Sequence, residues 1–179
     1  MKHLLNIIIP SLICFCLLFF PKISFGIYPL IFGLIIGLFN ANKTKGLHSL
    51  IIILLSVILS YTVFYISYFS MIPIGFLLNA LFENVLNDEI IGVLVFFISP
   101  YIIAPLIMFY FYKLLFKINT TKLGNIIIII SVLLIVIQWC FFYYLKLNTN
   151  SINSFISWQV IMALGIQIMI YQDRLINKE

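Results

Sequence analysis

Charged residues are scarce in this chain, and acidic residues are the scarcest. Only 8% of its 179 residues are Asp, Glu, Lys or Arg, whereas 64% are hydrophobic. The surface of a soluble domain needs roughly a quarter to a third charged residues. The mean hydropathy of +1.23 agrees with this shortfall. The composition therefore excludes a soluble domain and predicts an integral membrane protein.

Cysteine and histidine are also too few to build a metal site or a disulfide framework. Cys14, Cys16 and Cys140 lie inside apolar runs and form no CxxC pair, and His3 and His48 have no third ligand. Thiols in apolar runs usually act as small hydrophobic side chains. We expect no metal, no cofactor and no disulfide.

The apolar runs contain no Asp, Glu, Lys, Arg or His, and the chain has neither HExxH nor GxSxG. Ionisable groups within a membrane usually mark proton relays or ion paths. The two missing motifs are those of zinc proteases and serine hydrolases. The sequence therefore favours a protein that is not an enzyme and not a proton-coupled pump.

Six apolar runs are present, and each is predicted to be a membrane-spanning helix. The spans cover about residues 4–20, 27–39, 50–69, 90–112, 126–145 and 155–171. A helix needs about 20 apolar residues to cross the hydrocarbon core. Residues 1–26 also resemble a cleaved signal peptide. We expect this segment to be retained, because another hydrophobic run follows almost at once.

Residues 72–87 are predicted to form a short outer helix rather than a span. Asn79, Glu83 and Asn87 recur every four residues, so they share one helical face. This pattern favours an amphipathic helix on the outer surface, or a re-entrant segment. The predicted fold is all-α: residues 1–179 form a single transmembrane domain, a bundle of six transmembrane helices with one outer helix.

The distribution of lysine and arginine orients this bundle. With both termini inside, eight of the ten Lys and Arg residues lie on the inner side, and only Lys22 and Lys146 lie outside. Cytoplasmic loops of membrane proteins carry such an excess. We predict a multi-pass protein of the cell membrane, specifically the bacterial cytoplasmic membrane. Nucleic-acid binding is not expected, because the basic residues sit in short loops between spans.

The fourth span, residues 90–112, holds the first candidate site. Pro100 and Pro105 each remove a backbone donor, so a kink or break is predicted near mid-membrane. Transporters use the exposed backbone of broken helices to bind substrate. The candidate lining residues for a small solute are Ser99, Pro100 and Tyr101, with Gln138 from the fifth span.

Other polar and aromatic groups have simpler interpretations. Glu83, Asp88 and Glu89 form an outer acidic cluster that could attract a cation or a basic partner, or could be a solvated loop. The glutamines of the last two spans typically make interhelical hydrogen bonds. The aromatic residues that end the third and fifth spans are typical of a membrane-interface belt.

Gly33 and Gly37 stand four residues apart in the second span. Such a GxxxG pair lets a neighbouring helix approach closely. We expect that neighbour to belong to the same chain rather than to a second copy.

Two functions follow from these features. The first is a small non-catalytic membrane subunit that binds another membrane protein, in a scaffold, assembly or immunity-type role. The alternative is a small transporter or substrate-binding subunit with a site at the kinked fourth helix. In size and span count the chain is similar to the substrate-capture subunits of energy-coupling-factor vitamin transporters and to the small membrane subunit of the rod-shape machinery. That resemblance is architectural, and it transfers no site residue. The expected partners are the lipid bilayer and another membrane protein, or a small solute.

Overall fold

The computed structural model describes residues 2–16, 25–44, 47–82, 85–119, 121–144 and 151–176, and within them the chain is helical with no strand. The helices are α1 (Lys2–Cys16), α2 (Tyr28–Asn40), α3 (Ser49–Phe82), α4 (Asp88–Ile98), α5 (Ala104–Leu115), α6 (Lys122–Tyr144) and α7 (Ser151–Ile176). Single 3-10 turns, Phe25–Ile27 and Ala41–Lys43, flank α2, and a π turn, Ser99–Ile103, joins α4 to α5. The predicted all-α class is confirmed for this part of the chain.

Among the described residues, three helices are long and apolar enough to cross a membrane: Ser49–Phe82, Asp88–Leu115 and Lys122–Tyr144. The second of these is α4, the π turn and α5 taken together. A shorter apolar helix covers Leu4–Cys16, and residues 17–20 of the predicted first span lie outside the described ranges. The 13 residues of α2 extend only about 20 Å. These lengths support a membrane protein, whereas the number of six spans stays a prediction.

The predicted outer helix at residues 72–87 is wrong as a separate element. Residues 72–82 continue α3 without interruption through Pro73, which makes α3 34 residues long. An internal proline costs one backbone hydrogen bond, and membrane-type helices tolerate that loss. The helix ends at Phe82, whose carbonyl accepts from the backbone N–H groups of Val85 and Leu86. The helical state of residues 72–82 was predicted correctly, but nothing separates these residues from the third span. Of the three residues predicted to share a face, Glu83 lies outside the described residues and Asn87 caps α4.

Helix α2 packs along α3 through its two glycines. A Cβ added at Gly33 would lie 2.6 Å from Val57 Cα, and one added at Gly37 would lie 2.8 Å from Ile53 Cα. Only hydrogen fits at these two positions, so the two backbones are in direct contact. The expectation that the GxxxG pair packs within the chain is confirmed.

The core lies where α2, α5 and α7 meet. Its largest fully buried side chains include Phe32, Phe109, Tyr112, Met162 and Ile166. Helix α7 also packs against α1 and α6, and α3 packs against α5. By contrast, one side of α6 exposes a row of aliphatic residues: Ile126, Ile129, Ile130, Leu133, Leu134 and Ile137. Such a face suits contact with lipid chains.

Acidic and basic residues lie at opposite ends of the fourth span. Asp88 and Glu89 begin α4, whereas Lys113 lies in the last turn of α5, about 37 Å further along the helix. Lys43 belongs to the Lys113 end, because its Nζ lies 3.9 Å from the centre of the Tyr171 ring. Beside that ring, Gln172 Nε2 donates to Asn119 O in the loop after α5, at 2.8 Å. We call the end with Asp88 and Glu89 the acidic end, and the end with Lys43 and Lys113, where Asp173 also lies, the basic end.

Candidate functional site

The π turn is a direct consequence of the two prolines. The backbone N–H of Ala104 donates to the carbonyl of Ser99, five residues earlier. Pro105 has no N–H, so the carbonyl of Pro100 has no donor in the next position of this register. The predicted irregularity lies at the predicted residues, but it is a π turn inside a continuous helix rather than a break.

The side chain of Trp158 supplies the donor that the fourth helix lacks. Its indole Nε1 donates to Pro100 O at 3.1 Å, and the residue is only 6% exposed. A buried carbonyl without a partner costs about 1–3 kcal/mol, so this contact stabilises the π turn. It also holds the Trp158 ring 6.4 Å from the ring of Phe32, centre to centre.

Ser99 fastens the π turn to α3. Its side chain is fully buried, and its Oγ donates to the carbonyl of Ser67. Ser70 Oγ lies 2.6 Å and Ser67 Oγ lies 3.3 Å from the same hydroxyl. The serine hydroxyls thus form hydrogen bonds between helices. The π turn is held in position by α3 through Ser99 and by α7 through Trp158.

Beside this turn lies a cavity of about 680 Å³, which we call the central cavity. It is bounded by α2, α3, α4, α5, α6 and α7, and Pro100 and Tyr101 of the π turn form part of its wall. Nine of the 21 residues in its wall are aromatic. The rings are those of Phe32, Phe64, Tyr68, Phe96, Tyr101, Trp139, Phe142, Tyr143 and Trp158.

The aromatic wall is held together by ring contacts between different helices. Trp139 of α6 lies 6.1 Å from the Tyr101 ring and 4.5 Å from the Phe97 ring, centre to centre. Tyr143 stacks on Trp139 at 5.1 Å. Such packed rings form a rigid surface with defined faces. These rings therefore hold one another in place on the α4 and α6 side of the cavity.

Few polar groups face the central cavity. Gln159 is 1% exposed, and its Oε1 has no hydrogen-bond partner. Glu89 lies at the rim with an exposed side chain, and among the described residues of the wall it is the only charged one. Two wall serines use their hydroxyls within the protein: Ser67 with Ser99, and Ser60 with Tyr112. The site is thus an apolar chamber with one exposed carboxylate, that of Glu89, in its described wall.

The four residues predicted to line a substrate site do not lie together. Pro100 and Tyr101 are in the cavity wall, whereas Ser99 lies behind it, against α3. Gln138 is outside the wall, and its Nε2 donates to Ser157 Oγ at 2.8 Å. That bond joins α6 to α7, which is the interhelical role expected of glutamines in adjacent spans.

The predicted acidic cluster has a structural role at the start of α4. Asn87 Oδ1 accepts the backbone N–H of Ile90 at 2.9 Å and caps the helix. Asp88 and Glu89 in the first turn interact favourably with the helix dipole. Glu83 lies outside the described residues, and the described ones contain no group of three His, Cys, Asp or Glu side chains that could hold a metal ion.

Several wall residues were not foreseen as site residues. Trp139, Phe142 and Tyr143 were predicted to belong to a membrane-interface belt, and Phe32, Phe96 and Trp158 carried no signal beyond being aromatic.

Comparison with protein families, with curated proteins and with solved structures found no match to this chain. The central cavity is therefore the feature of this chain that bears most directly on its function.

Proposed function

We propose that this chain is a multi-pass protein of the cell membrane that binds a small organic molecule in its central cavity. It acts as a small transporter or as a substrate-binding membrane subunit. The observation that carries the proposal is the cavity of about 680 Å³ beside the π turn. Pockets for small molecules usually measure about 300–1,000 Å³ and are mostly apolar.

The size of the cavity supports ligand binding over simple packing. Protein interiors are close-packed, with few voids larger than a water molecule. The wall also contains a π turn, an element that occurs often at functional sites. Hydrogen bonds from Trp158 and to Ser67 hold that turn in place. An open chamber supported in this way is consistent with a preformed binding site.

The position of the cavity supports entry from the outer side of the membrane. Glu89 lies at the rim, on the acidic end of the bundle, and Lys113 lies on the opposite end. The positive-inside rule places the lysine end in the cytoplasm. In this orientation the Glu89 side of the cavity lies towards the outer surface, and we propose that a solute enters from there.

The chemistry of the wall favours binding over catalysis. General acid–base or nucleophilic catalysis needs an activated group with a partner within hydrogen-bond reach. The described wall residues include neither His nor Cys, and they carry a single carboxylate, that of Glu89. We therefore propose that the bound molecule is held or passed on unchanged.

Gly92 offers a way to fill the cavity without disturbing the fold. It lies in the wall, and a Cβ added there would meet nothing within 4 Å. A leucine at this position therefore occupies space that a ligand would use. We expect protein purified from native membranes in mild detergent to retain a small molecule, detected by mass spectrometry, and Gly92→Leu to lose at least about nine tenths of it.

The matched control is Gly75→Leu. Gly75 lies on α3, outside the central cavity, and a Cβ there would meet only Val95 Cγ2 at an ordinary 3.7 Å. This control should retain the molecule at the wild-type level. Equal retention by both variants would contradict the proposed site.

The same experiment distinguishes the competing function, a scaffold, assembly or immunity-type subunit. Such a protein would be recovered with a stoichiometric membrane-protein partner and with no small molecule that depends on Gly92. A partner together with a Gly92-dependent molecule would instead identify a substrate-binding subunit of a larger transporter.

A further inference from the structure

The hydrogen-bonding groups of the central cavity point to the charge of its ligand. Gln159 Oε1 is a buried acceptor without a partner, and the Glu89 carboxylate at the rim is a second acceptor. The donor of Trp158 is used by Pro100 O. Because the buried Gln159 oxygen is closed to direct contact, it favours a cation only through the field of its carbonyl, and the exposed Glu89 carboxylate is the acceptor that a ligand can reach.

The aromatic wall favours the same sign of charge. The face of an aromatic ring carries partial negative charge, and it attracts a cation that lies within about 6 Å of the ring centre. Rings from α2, α3, α4, α6 and α7 surround the cavity, including Phe32, Phe96, Trp139 and Trp158. No Lys, Arg or His is among the described wall residues to repel a cation.

We propose that the central cavity binds a hydrophobic organic cation: an apolar or aromatic body that carries one positive centre. The apolar wall takes the body, while the ring faces, the Gln159 carbonyl and the Glu89 carboxylate stabilise the charge. This inference rests on the proposed function and adds the chemical class of the ligand to it. An anion of equal size would meet negative potential at the ring faces and at the Glu89 carboxylate.

Glu89 has a further effect on capture. It is exposed in the wall of the cavity, where a carboxylate raises the local concentration of cations and their rate of entry. Asp88, the preceding residue, lies instead on a smaller neighbouring cleft, outside the central cavity. The two adjacent carboxylates therefore form a natural pair of test and control positions.

The test uses tetraphenylphosphonium and tetraphenylborate, two ions of nearly equal size and shape and opposite charge. Each is titrated by equilibrium dialysis into protein reconstituted in phosphatidylcholine nanodiscs, and binding to empty nanodiscs is subtracted. We expect saturable binding of tetraphenylphosphonium at least about tenfold tighter than that of tetraphenylborate. Gly92→Leu should abolish it, whereas Gly75→Leu should not.

Glu89→Gln keeps the size of the side chain and removes its charge. We expect it to weaken tetraphenylphosphonium binding by about threefold to tenfold at low salt, and by less at high salt, because the rim is exposed. Asp88→Asn should change the affinity by less than about twofold. Both variants should melt close to wild type, which separates a loss of binding from a loss of fold.

The outcomes separate this inference from the proposed function. Equal or tighter binding of tetraphenylborate, sensitive to Gly92→Leu, would overturn the preference for cations and leave a small-molecule site in place. An equal effect of the two carboxylate variants would overturn the role of Glu89. Absence of binding by either ion would overturn the inference, and retention of the native molecule would then decide the proposed function.

Discussion

Single glycines serve opposite purposes in this bundle. Gly33 is in contact with the α3 backbone, where an added Cβ would lie 2.8 Å from Ser56 O. Gly92 borders open space at the central cavity. The same residue type therefore permits close helix packing at one position and leaves the cavity open at another.

Alanine substitution should separate these two roles. Gly33→Ala forces the α2 and α3 backbones apart, and overpacking of this kind costs about 1–3 kcal/mol. Gly92→Ala adds a methyl group into free space and replaces the poorest ordinary helix former with the best, which is neutral or stabilising by up to about 1 kcal/mol. The measurement is thermal unfolding of the two purified variants in the same detergent. A melting temperature for Gly33→Ala at or above that of wild type would contradict the direct backbone contact.

Tyr112 forms hydrogen bonds between helices that the sequence does not predict. Serines in a helix can bond back to a carbonyl of the preceding turn, and Ser60 Oγ does donate to Ser56 O at 3.0 Å. The buried Tyr112 hydroxyl also lies 2.8 Å from Ser56 Oγ and 3.1 Å from Ser60 Oγ. The link from α5 to α3 depends on which helices are neighbours, and sequence spacing does not contain that information.

At the scale of elements, the fourth span is stabilised by residues outside itself. Its two prolines produce the π turn and leave the Pro100 carbonyl without a donor in the helix. Trp158 of α7 bonds that carbonyl, and α3 holds Ser99. The shape of this span is therefore a joint property of three helices.

A double-mutant cycle tests this dependence. Trp158→Phe removes the indole donor and should lower the free energy of unfolding by about 0.6–2 kcal/mol. Pro105→Ala restores a backbone N–H within reach of the Pro100 carbonyl, so the cost of Trp158→Phe should be smaller in that background. The measurement is denaturant or thermal unfolding of the four proteins.

Trp139→Phe is the matched control for this cycle. Trp139 is a second wall tryptophan, and it contacts the π turn through its ring, 6.1 Å from that of Tyr101. Its cost should be the same with either residue at position 105. An equal cost of Trp158→Phe in both backgrounds would show that its indole does not compensate for the proline.

Helix α3 also differs from its sequence prediction at this scale. Its 34 residues extend about 51 Å, well beyond a hydrocarbon core of roughly 30 Å. The polar residue Asn79 favoured a separate outer helix, and the same segment contains Pro73. A helix can continue through such residues when its backbone hydrogen bonds are mostly kept, so local polarity alone misplaced the end of this element.

At the scale of the whole molecule, charge and the cavity are arranged along one direction. The carboxylates of Asp88 and Glu89 lie at one end, and Lys43 and Lys113 lie at the other. Glu89, the exposed carboxylate in the wall of the central cavity, lies at the acidic end. The orientation of the protein in the membrane therefore also decides which side this carboxylate faces.

Cysteine labelling in intact cells tests this orientation. Cys14, Cys16 and Cys140 are first replaced by alanine or serine, and a single cysteine is then placed at Val85, which is 76% exposed, or at the exposed Asn42. Since Val85 lies at the acidic end and Asn42 next to Lys43, an impermeant maleimide should label only Val85→Cys. Asn42→Cys should react only after the cells are permeabilised. The reverse pattern would place the cavity on the cytoplasmic side.

Some properties of this protein are already contained in its sequence. Composition alone predicts membrane helices, because too few charged residues are present to cover a water-facing surface. Pro100 and Pro105 predict where the fourth span becomes irregular, because the missing N–H groups are a covalent property of proline. The close approach at Gly33 follows in the same way from the absence of a side chain.

Only the tertiary structure decided which side chains meet. In the folded chain Ser99 bonds α3, Gln138 bonds Ser157, and Trp158 donates to Pro100 O. The central cavity lies among rings from several helices. The physical reason is that these helices are apolar around most of their circumference. Such helices have no polar face from which their rotation could be predicted, so packing against neighbours determines which residues face inward.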